Sequence, residues 1–493
     1  MRVMSFLIMA GVLIVSTLGC GGGETSPQVN TASKKTSKED TGGATLGSDG
    51  WEGTSRATDK AAPRAGSPDV ISGGSPTGRV ESPRTYIPGG GEKKAEEKRV
   101  AKEEAPVATP PVPAAAIADP VTGAERRVKK AQEPALPAGV LTAGSFDDNI
   151  DPRAFLSFLK KVNQLQGMQD VPAKLQGQRV LIQVKDAAGK PVGGAKVQLI
   201  AQTGQAAELI TRTDGRVVFL TSFDNLPADV ALTASVTPPD GGAAVTEKID
   251  AGAPRWEVTL PAVQARLPKN LDLAIVLDTT GSMNDELDFL KGEIRGISKV
   301  IHERFPEVHQ RFALIVYRDD NDEYVTRRFD FASLDAFHKN LSAQRAGGGG
   351  DYPEAVHRGF EDANQLRWRS DDTARLLFWV ADAPPHAQHM SRTMTAANAL
   401  RKQGIAMYPV ACSGYNDACE LTMRSCALLT GSQFLFLTDD SGVGAAHGEP
   451  KIPYYQVEHL EKLMIRMIAG ELAGQRIEAN SADVIRTVGR KVN

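Results

Sequence analysis

The chain has 493 residues and a formal net charge of −3 at pH 7, which gives room for two or three domains. A charge so close to zero argues against nucleic-acid binding driven by bulk electrostatic attraction, and we expect no nucleic-acid partner. The chain holds only four cysteines, and they have no spacing with histidine that is typical of a zinc site.

Residues 1–20 have the pattern of an export signal, with a positive Arg2 and an apolar run over residues 6–18. Residues 17–20 have the sequence Thr-Leu-Gly-Cys. This segment, which ends at Cys20, resembles the lipobox of bacterial lipoproteins. The resemblance implies a lipid on Cys20 that anchors an extracytoplasmic protein to a membrane of the bacterial cell envelope. An ordinary cleaved signal and a retained N-terminal anchor remain alternatives.

Residues 21–138 are rich in Gly, Ser, Thr, Pro, Lys and Glu and poor in large apolar residues. Such a stretch buries too little surface to offset its ordering entropy, so we predict a disordered linker or stalk. Residues 139–175 are predicted to be a short helical bridge, because apolar residues recur at helical spacing after Asp151 and Pro152.

Residues 176–262 contain short, partly alternating apolar runs separated by turn residues, which predicts a separate all-β sandwich. The sequences of residues 186–197 and 213–219 resemble carboxypeptidase-regulatory-like and bacterial immunoglobulin-like modules. This resemblance implies a spacer or a binding surface without catalysis.

Residues 268–475 alternate between strand and helix patterns, which predicts an α/β domain with a Rossmann-like, doubly wound, mostly parallel sheet. The first strand, residues 271–277, is an aliphatic run typical of a strand covered on both faces. Asp278, Thr280 and Ser282 follow it at spacing i, i+2, i+4. Residues 476–493 are predicted to be a C-terminal tail.

Two later segments end with further oxygen ligands. Asp351 follows the glycines 347–350, and Asp382 ends a second apolar strand pattern. Because the ends of parallel strands gather on one edge of an open sheet, we expect these side chains to meet the first three. Hard oxygen ligands suit a hard divalent cation. Glu354, from the same loop as Asp351, is an alternative ligand.

This arrangement resembles the von Willebrand factor type A (VWA) family and its metal-ion-dependent adhesion site. Asp278, Thr280 and Ser282 match the Asp-x-Ser/Thr-x-Ser motif, and Asp382 matches the later aspartate. The resemblance implies Mg²⁺, with Mn²⁺ or Ca²⁺ as alternatives, whose shell is completed by an acidic side chain of a protein partner. Asp351 stands where many members have threonine, and three carboxylates around a dication would attract an external carboxylate less.

Three further groups are candidates for additional roles. Asp319 follows the second strand and is a candidate accessory metal ligand, although a solvated acidic loop is the simpler interpretation. His386 follows Asp382 as a candidate ligand contact or general base. Cys412 is a candidate for a disulfide with either Cys419 or Cys426, and three buried thiols are the alternative.

The sequence as a whole predicts a metal-dependent, protein-binding lipoprotein of adhesion type, without enzymatic activity and without catalytic residues. One alternative is a structural envelope lipoprotein whose metal only stabilises the fold. The other is a metal-assisted hydrolase, in which the ion activates water.

Overall fold

The structure, a computed structural model, describes residues 139–165, 168–227, 230–249 and 255–490. The predicted signal, the lipidation site Cys20 and the linker over residues 21–138 lie outside the described residues. Those that are described fall within one compact unit. No helix within these ranges has both the length and the apolar character needed to span a bilayer.

The strands and helices alternate through most of the described chain. In chain order, the strands are β1 (Thr142–Phe146), β2 (Arg179–Asp186), β3 (Lys196–Ala201), β4 (Ala206–Ile210), β5 (Arg216–Leu220), β6 (Leu232–Thr237), β7 (Val245–Ile249), β8 (Arg255–Leu260), β9 (Asn270–Asp278), β10 (His309–Tyr317), β11 (Thr326–Ala332), β12 (Thr373–Ala381), β13 (Ala406–Ala411), β14 (Phe434–Thr438), β15 (Tyr454–His459) and β16 (Arg486–Gly489). The α-helices are α1 (Pro152–Val162), α2 (Asp170–Leu175), α3 (Leu287–Arg304), α4 (Leu334–Ser342), α5 (Val356–Asn364), α6 (Met390–Lys402), α7 (Asp417–Thr430) and α8 (Leu460–Ala473).

The largest sheet has nine strands in the order β11-β10-β9-β12-β13-β14-β1-β15-β16. The five adjacent strands β10, β9, β12, β13 and β14 run parallel to one another. The remaining neighbouring pairs are antiparallel. The sheet is therefore mixed, and the prediction of a mostly parallel sheet was wrong for its two outer parts. Strand β11 lies at one edge of the sheet.

Strand β9 is buried on both faces, as its unbroken aliphatic sequence predicts. Leu273 and Ile275 face a core that includes apolar residues of α3, α4 and α8. Ala274 and Val276 face a second core that includes residues of α5, α6 and α7. Helices thus cover both faces of the sheet around the strand that ends at Asp278.

Two strands of the large sheet lie where the sequence predicts helix, and a third, β16, lies within the predicted C-terminal tail over residues 476–493. Strand β1 lies within the predicted helical bridge, and its Gly144 packs so closely that a Cβ atom there would be 2.5 Å from the Phe436 ring. Strand β15 occupies the start of a helix that the sequence predicts from Tyr455 onward; α8 begins only at Leu460. Pairing with distant strands decides both segments, and local periodicity does not record such pairing.

Two small sheets, with strand orders β5-β2-β8 and β4-β3-β6-β7, enclose a common apolar core. A separate β-sandwich domain, as predicted over residues 176–262, is not confirmed, because the small sheets are joined closely to the rest of the described unit. The buried side chain of Arg401 on α6 pairs with Asp224 at 2.6 Å. Helices α1 and α2 share an apolar cluster with residues of α6, α7 and β5.

Candidate metal centre

The predicted site residues lie at one edge of the large sheet. Strand β9 has β10 and β12 as its parallel neighbours, with Tyr317 opposite Asp278 and Val380 opposite Leu277. Because all three strands run in the same direction, the residues that follow them emerge at the same edge. Asp278 is the last residue of β9, and Asp382 directly follows β12.

The loop after β9 folds so that one carboxylate oxygen is used locally and the other is left open. Asp278 Oδ1 accepts hydrogen bonds from the Thr280 backbone N–H at 2.9 Å and from the Thr280 hydroxyl at 2.7 Å. Asp278 Oδ2 is buried and has no hydrogen-bond partner. The hydroxyl oxygens of Thr280 and Ser282 are 3.2 Å apart. The i, i+2, i+4 motif therefore gathers its three oxygen-bearing side chains in one place.

Asp382 has the same property as Asp278, because its Oδ1 atom is buried without a hydrogen-bond partner. Burial raises the pKa of Asp278 to about 7, and the nearby Asp382 carboxylate adds to the rise. Burial likewise raises the pKa of Asp382 to about 6, although the Ser282 hydroxyl partly offsets this. Unpartnered buried carboxylate oxygens are rare in folded proteins, and a bound cation would satisfy both of these.

The glycine-rich loop brings Glu354, and not Asp351, among the buried carboxyl groups. Burial raises the pKa of Glu354 to about 10, with Asp278 and Asp319 as the next largest causes. Glu354 Oε2 is buried and has no hydrogen-bond partner. Asp351 is exposed and groups with Asp319 and His386. The geometry therefore favours Glu354 as the ligand from this loop, and a ligand role for Asp351 in the first site stays a prediction.

Two hydrogen bonds fix the backbone positions of these loops. The Glu354 N–H donates to the Pro384 carbonyl at 2.9 Å, which ties the glycine loop to the segment after Asp382. The Gly281 N–H donates to the Gly348 carbonyl at 3.0 Å, which ties it to the loop after Asp278. Gly348 has a φ of +75°, a conformation that glycine adopts without strain, and a Cβ there would lie 2.3 Å from the Asp322 carboxylate.

Asp319, Asp351 and His386 form a second group at this edge. His386 Nε2 lies 2.7 Å from Asp319 Oδ1, and each of the three residues offers a ligand atom within 4.8 Å of the other two. Each of the three residues is a candidate site residue from the sequence, but the sequence does not indicate that their side chains lie in one group.

Sequence reasoning missed the contribution of Tyr352. Its hydroxyl donates to the Asp382 carbonyl at 2.8 Å and lies 3.0 Å from the Gly414 carbonyl oxygen. The Tyr352 side chain thus holds the backbone of the candidate ligand Asp382. Its position in the sequence between the candidate ligands Asp351 and Glu354 is the one feature that could have indicated a role at the site. The three cysteines Cys412, Cys419 and Cys426 are buried free thiols, so the optional disulfide is absent from the described residues.

Residues 272–416 match the family model of the von Willebrand factor A domain. These residues are a von Willebrand factor A domain. The curated relatives include an ariadne-like RING finger protein of Acanthamoeba polyphaga mimivirus, 37% identical over 123 residues. They also include the alpha-protein kinase vwkA of Dictyostelium discoideum, 29% identical over 133 residues. The matches cover 25% and 26% of this chain but only 12% and 21% of those proteins, so the chain spans a small part of their length.

Among solved structures, BatB from Bacteroides thetaiotaomicron is 12% identical, with a TM-score of 0.28. The match covers 41% of this chain and 99% of the BatB chain. Proximal thread matrix protein 1 from the mussel byssus, with a zinc-occupied MIDAS motif, is 17% identical with a TM-score of 0.26 and covers 32% and 40%. The family match confirms a VWA domain at residues 272–416, and the predicted bounds of 268–475 stay a prediction. The lipoprotein and the resemblance of residues 176–262 to carboxypeptidase-regulatory-like or immunoglobulin-like modules stay predictions.

Proposed function

We propose that this protein binds partner proteins through a divalent cation held at the edge of its VWA domain, in an adhesion-type role. One observation carries the proposal. Asp278 and Asp382 emerge from parallel strands that flank each other, and each keeps one buried carboxylate oxygen without a partner. In a VWA domain, that edge is where a protein partner is expected to bind.

The donor set fits a hard dication. It consists of the carboxylates of Asp278 and Asp382, the hydroxyls of Thr280 and Ser282, and the carboxylate of Glu354. Oxygen donors of this kind suit Mg²⁺, Mn²⁺ or Ca²⁺. The raised pKa values of the carboxyl groups reflect burial and mutual repulsion, and a bound cation would relieve both.

The partner that suits this site presents a glutamate or aspartate. A cation that retains an open coordination position attracts such a carboxylate most strongly when the protein supplies few negative charges. Glu354 adds a third carboxylate next to Asp278 and Asp382, so it competes for the position that a partner would take. We propose that partner binding displaces Glu354 from the ion.

We also propose that the protein works outside the cytoplasm, anchored through a lipid on Cys20 to a membrane of the bacterial cell envelope. The support is the signal-like pattern of residues 1–20 and the lipobox-like sequence that ends at Cys20. Metabolic labelling with a clickable palmitate analogue tests the anchor: wild type should incorporate the label, and Cys20→Ala should not. Equal labelling of both forms would contradict it.

Capture experiments test the binding function. The immobilised protein is incubated with solubilised envelope proteins from its native host in Mg²⁺ or in chelator. In Mg²⁺, we expect wild type and Asp320→Asn, an exposed control on the same edge, to capture the same partner proteins. Capture of these proteins should be lost when chelator is added and in Asp382→Asn. A metal-dependent role would be contradicted if wild type in chelator, or Asp382→Asn in Mg²⁺, captured the same proteins as wild type in Mg²⁺.

Two other functions remain candidates. A structural role predicts that loss of the metal lowers the melting temperature and leaves partner capture unchanged. A hydrolase is favoured by one observation, the 2.7 Å contact between His386 and Asp319, which would orient a general base. Metal-dependent cleavage of a panel of esters and peptides, lost in His386→Gln, would support the hydrolase over the expected absence of enzymatic activity.

A further inference from the structure

We propose that Asp319, Asp351 and His386 form a second cation site beside the VWA metal edge, suited to a transition-metal ion such as Zn²⁺, Mn²⁺ or Co²⁺. This second site is a separate claim from the adhesion-type role. It is defined by three side chains from three loops, and none of them is among the five donors that we propose for the first ion (Asp278, Thr280, Ser282, Glu354 and Asp382).

The three side chains already lie near the spacing that a metal ion requires. Their ligand atoms all fall within 4.8 Å of one another, and His386 Nε2 is 2.7 Å from Asp319 Oδ1. Ligand atoms around an ion with bonds of about 2.0–2.2 Å sit a little over 3 Å apart, so small side-chain rotations complete the site. Asp319 is 5% exposed, which fixes the carboxylate that the other two ligands approach.

The two donor sets are built in parallel from neighbouring segments. The glycine-rich loop supplies Glu354 to the first set and Asp351 to the second. The segment after β12 supplies Asp382 to the first and His386 to the second. The remaining pair comes from adjacent strands, with Asp278 at the end of β9 and Asp319 just beyond the end of β10. Two adjacent ions therefore need no rearrangement of the loops.

The ligand chemistry of the second set differs from that of the first. The first set offers only oxygen atoms, which favour Mg²⁺ or Ca²⁺, whereas an imidazole nitrogen with two carboxylates favours Zn²⁺, Mn²⁺ or Co²⁺. Three protein ligands leave at least one position for water or an external group. The two sites should therefore differ in metal preference.

The local charge also favours a second cation. Three carboxyl groups of the first set suffice to neutralise one dication, and Asp319 and Asp351 then remain. Glu354, from the same loop as Asp351, has a buried Oε2 atom without a hydrogen-bond partner. An ion at the second site would satisfy the charge of Asp319.

Equilibrium dialysis and visible absorption with Co²⁺ alone as the probe test the proposal on the whole protein. We expect wild type to bind two equivalents, one of which gives the absorption of a nitrogen-containing site. Asp319→Asn and His386→Gln should each weaken that equivalent tenfold or more and remove its absorption, with the first equivalent kept. Asp382→Asn should keep the absorption and lose the first equivalent. His389→Gln, at a neighbouring histidine outside the set, is the matched control.

A measurement on wild type alone guards against variants that fail to fold. Zn²⁺ should protect His386 from diethyl pyrocarbonate, mapped by mass spectrometry, while the exposed His302 reacts at the same rate with and without Zn²⁺. The proposal is overturned if wild type binds a single equivalent, if Asp382→Asn abolishes all Co²⁺ binding, or if His386 is not protected. Failure of partner capture in the preceding experiments leaves these results unaffected, so the two claims are separable.

Discussion

The carboxyl group of Asp382 lies close to that of Asp278 at the ends of two adjacent parallel strands, and each group keeps one buried oxygen without a hydrogen-bond partner. Two buried carboxyl groups at such close range destabilise each other when both are ionised. A site with this property is costly for folding unless something neutralises it. A bound cation would neutralise both groups.

Removal of either carboxylate should abolish stabilisation by metal. For wild type, Mg²⁺ at about 100 times its Kd should add ~2.7 kcal/mol to the free energy of unfolding. Asp278→Asn and Asp382→Asn should lose this increment, while the exposed Asp320→Asn keeps it. Thermal unfolding with Mg²⁺ and with chelator measures the increment. An unchanged increment in Asp382→Asn would contradict the assignment.

Stability should depend on pH in opposite ways with and without metal. The pKa values of Asp278 and Asp382 are raised to about 7 and about 6, above the ordinary value of 3.8. Without metal, the stability associated with these groups is complete below about pH 4 and is lost as pH rises through about 6 to 7. With Mg²⁺, stabilisation should instead grow over this range, because metal binds the ionised carboxylates.

Melting temperatures between pH 4 and 8, in Mg²⁺ and in chelator, check this second prediction. The double variant Asp278→Asn with Asp382→Asn removes the two groups and serves as the reference for all other titrating residues. The gap between the two wild-type curves should widen with rising pH and should be absent in the double variant. Parallel wild-type curves would be inconsistent with a metal at these carboxylates.

Glu354 and Asp351 should differ in their effect on the first metal ion. Glu354 is buried next to Asp278, whereas Asp351 is exposed. We expect Glu354→Gln to weaken Mg²⁺ binding about tenfold, since a charged ligand is lost, and Asp351→Asn to change it less than twofold. Isothermal titration with Mg²⁺ compares the two variants directly. The reverse order would restore Asp351 as the ligand of the first ion.

Breaking the Arg401–Asp224 pair should destabilise the protein strongly. Both side chains are buried, at 3% and 4% exposure, so Arg401→Met leaves an uncompensated carboxylate at a cost of about 3–5 kcal/mol. On the same helix, Arg392 pairs with Glu361 at the surface, and Arg392→Met should cost at most about 1 kcal/mol. Urea unfolding measures both, and equal costs would mean that the small sheets do not depend on this contact.

The sequence predicts the centre of the large sheet well, because local pattern and tertiary structure agree there. The aliphatic run before Asp278 is typical of a strand covered on both faces, and β9 is such a strand. The polar residues that follow it are placed by the strand order rather than by their own conformation. For this reason Asp278, Thr280 and Ser282 were identifiable as a group before their contacts were known.

The outer strands and the details of the site were not predictable from local pattern. Gly144 lies in the predicted helical bridge, yet the strand that contains it, β1, is inserted between β14 and β15. The choice between Asp351 and Glu354 depends on which of them the loop buries, and that follows from the contact between Glu354 and the Pro384 carbonyl. Such long-range contacts leave no periodic signal in the sequence.

A crystal soaked in Mn²⁺ and measured at the manganese absorption edge tests the central claim most directly. The account predicts an anomalous difference peak about 2.2 Å from a carboxylate oxygen of Asp278, with Thr280, Ser282 and Asp382 around it directly or through water. A map with no peak at this edge of the sheet, or with metal bound only at unrelated surface carboxylates, would contradict it.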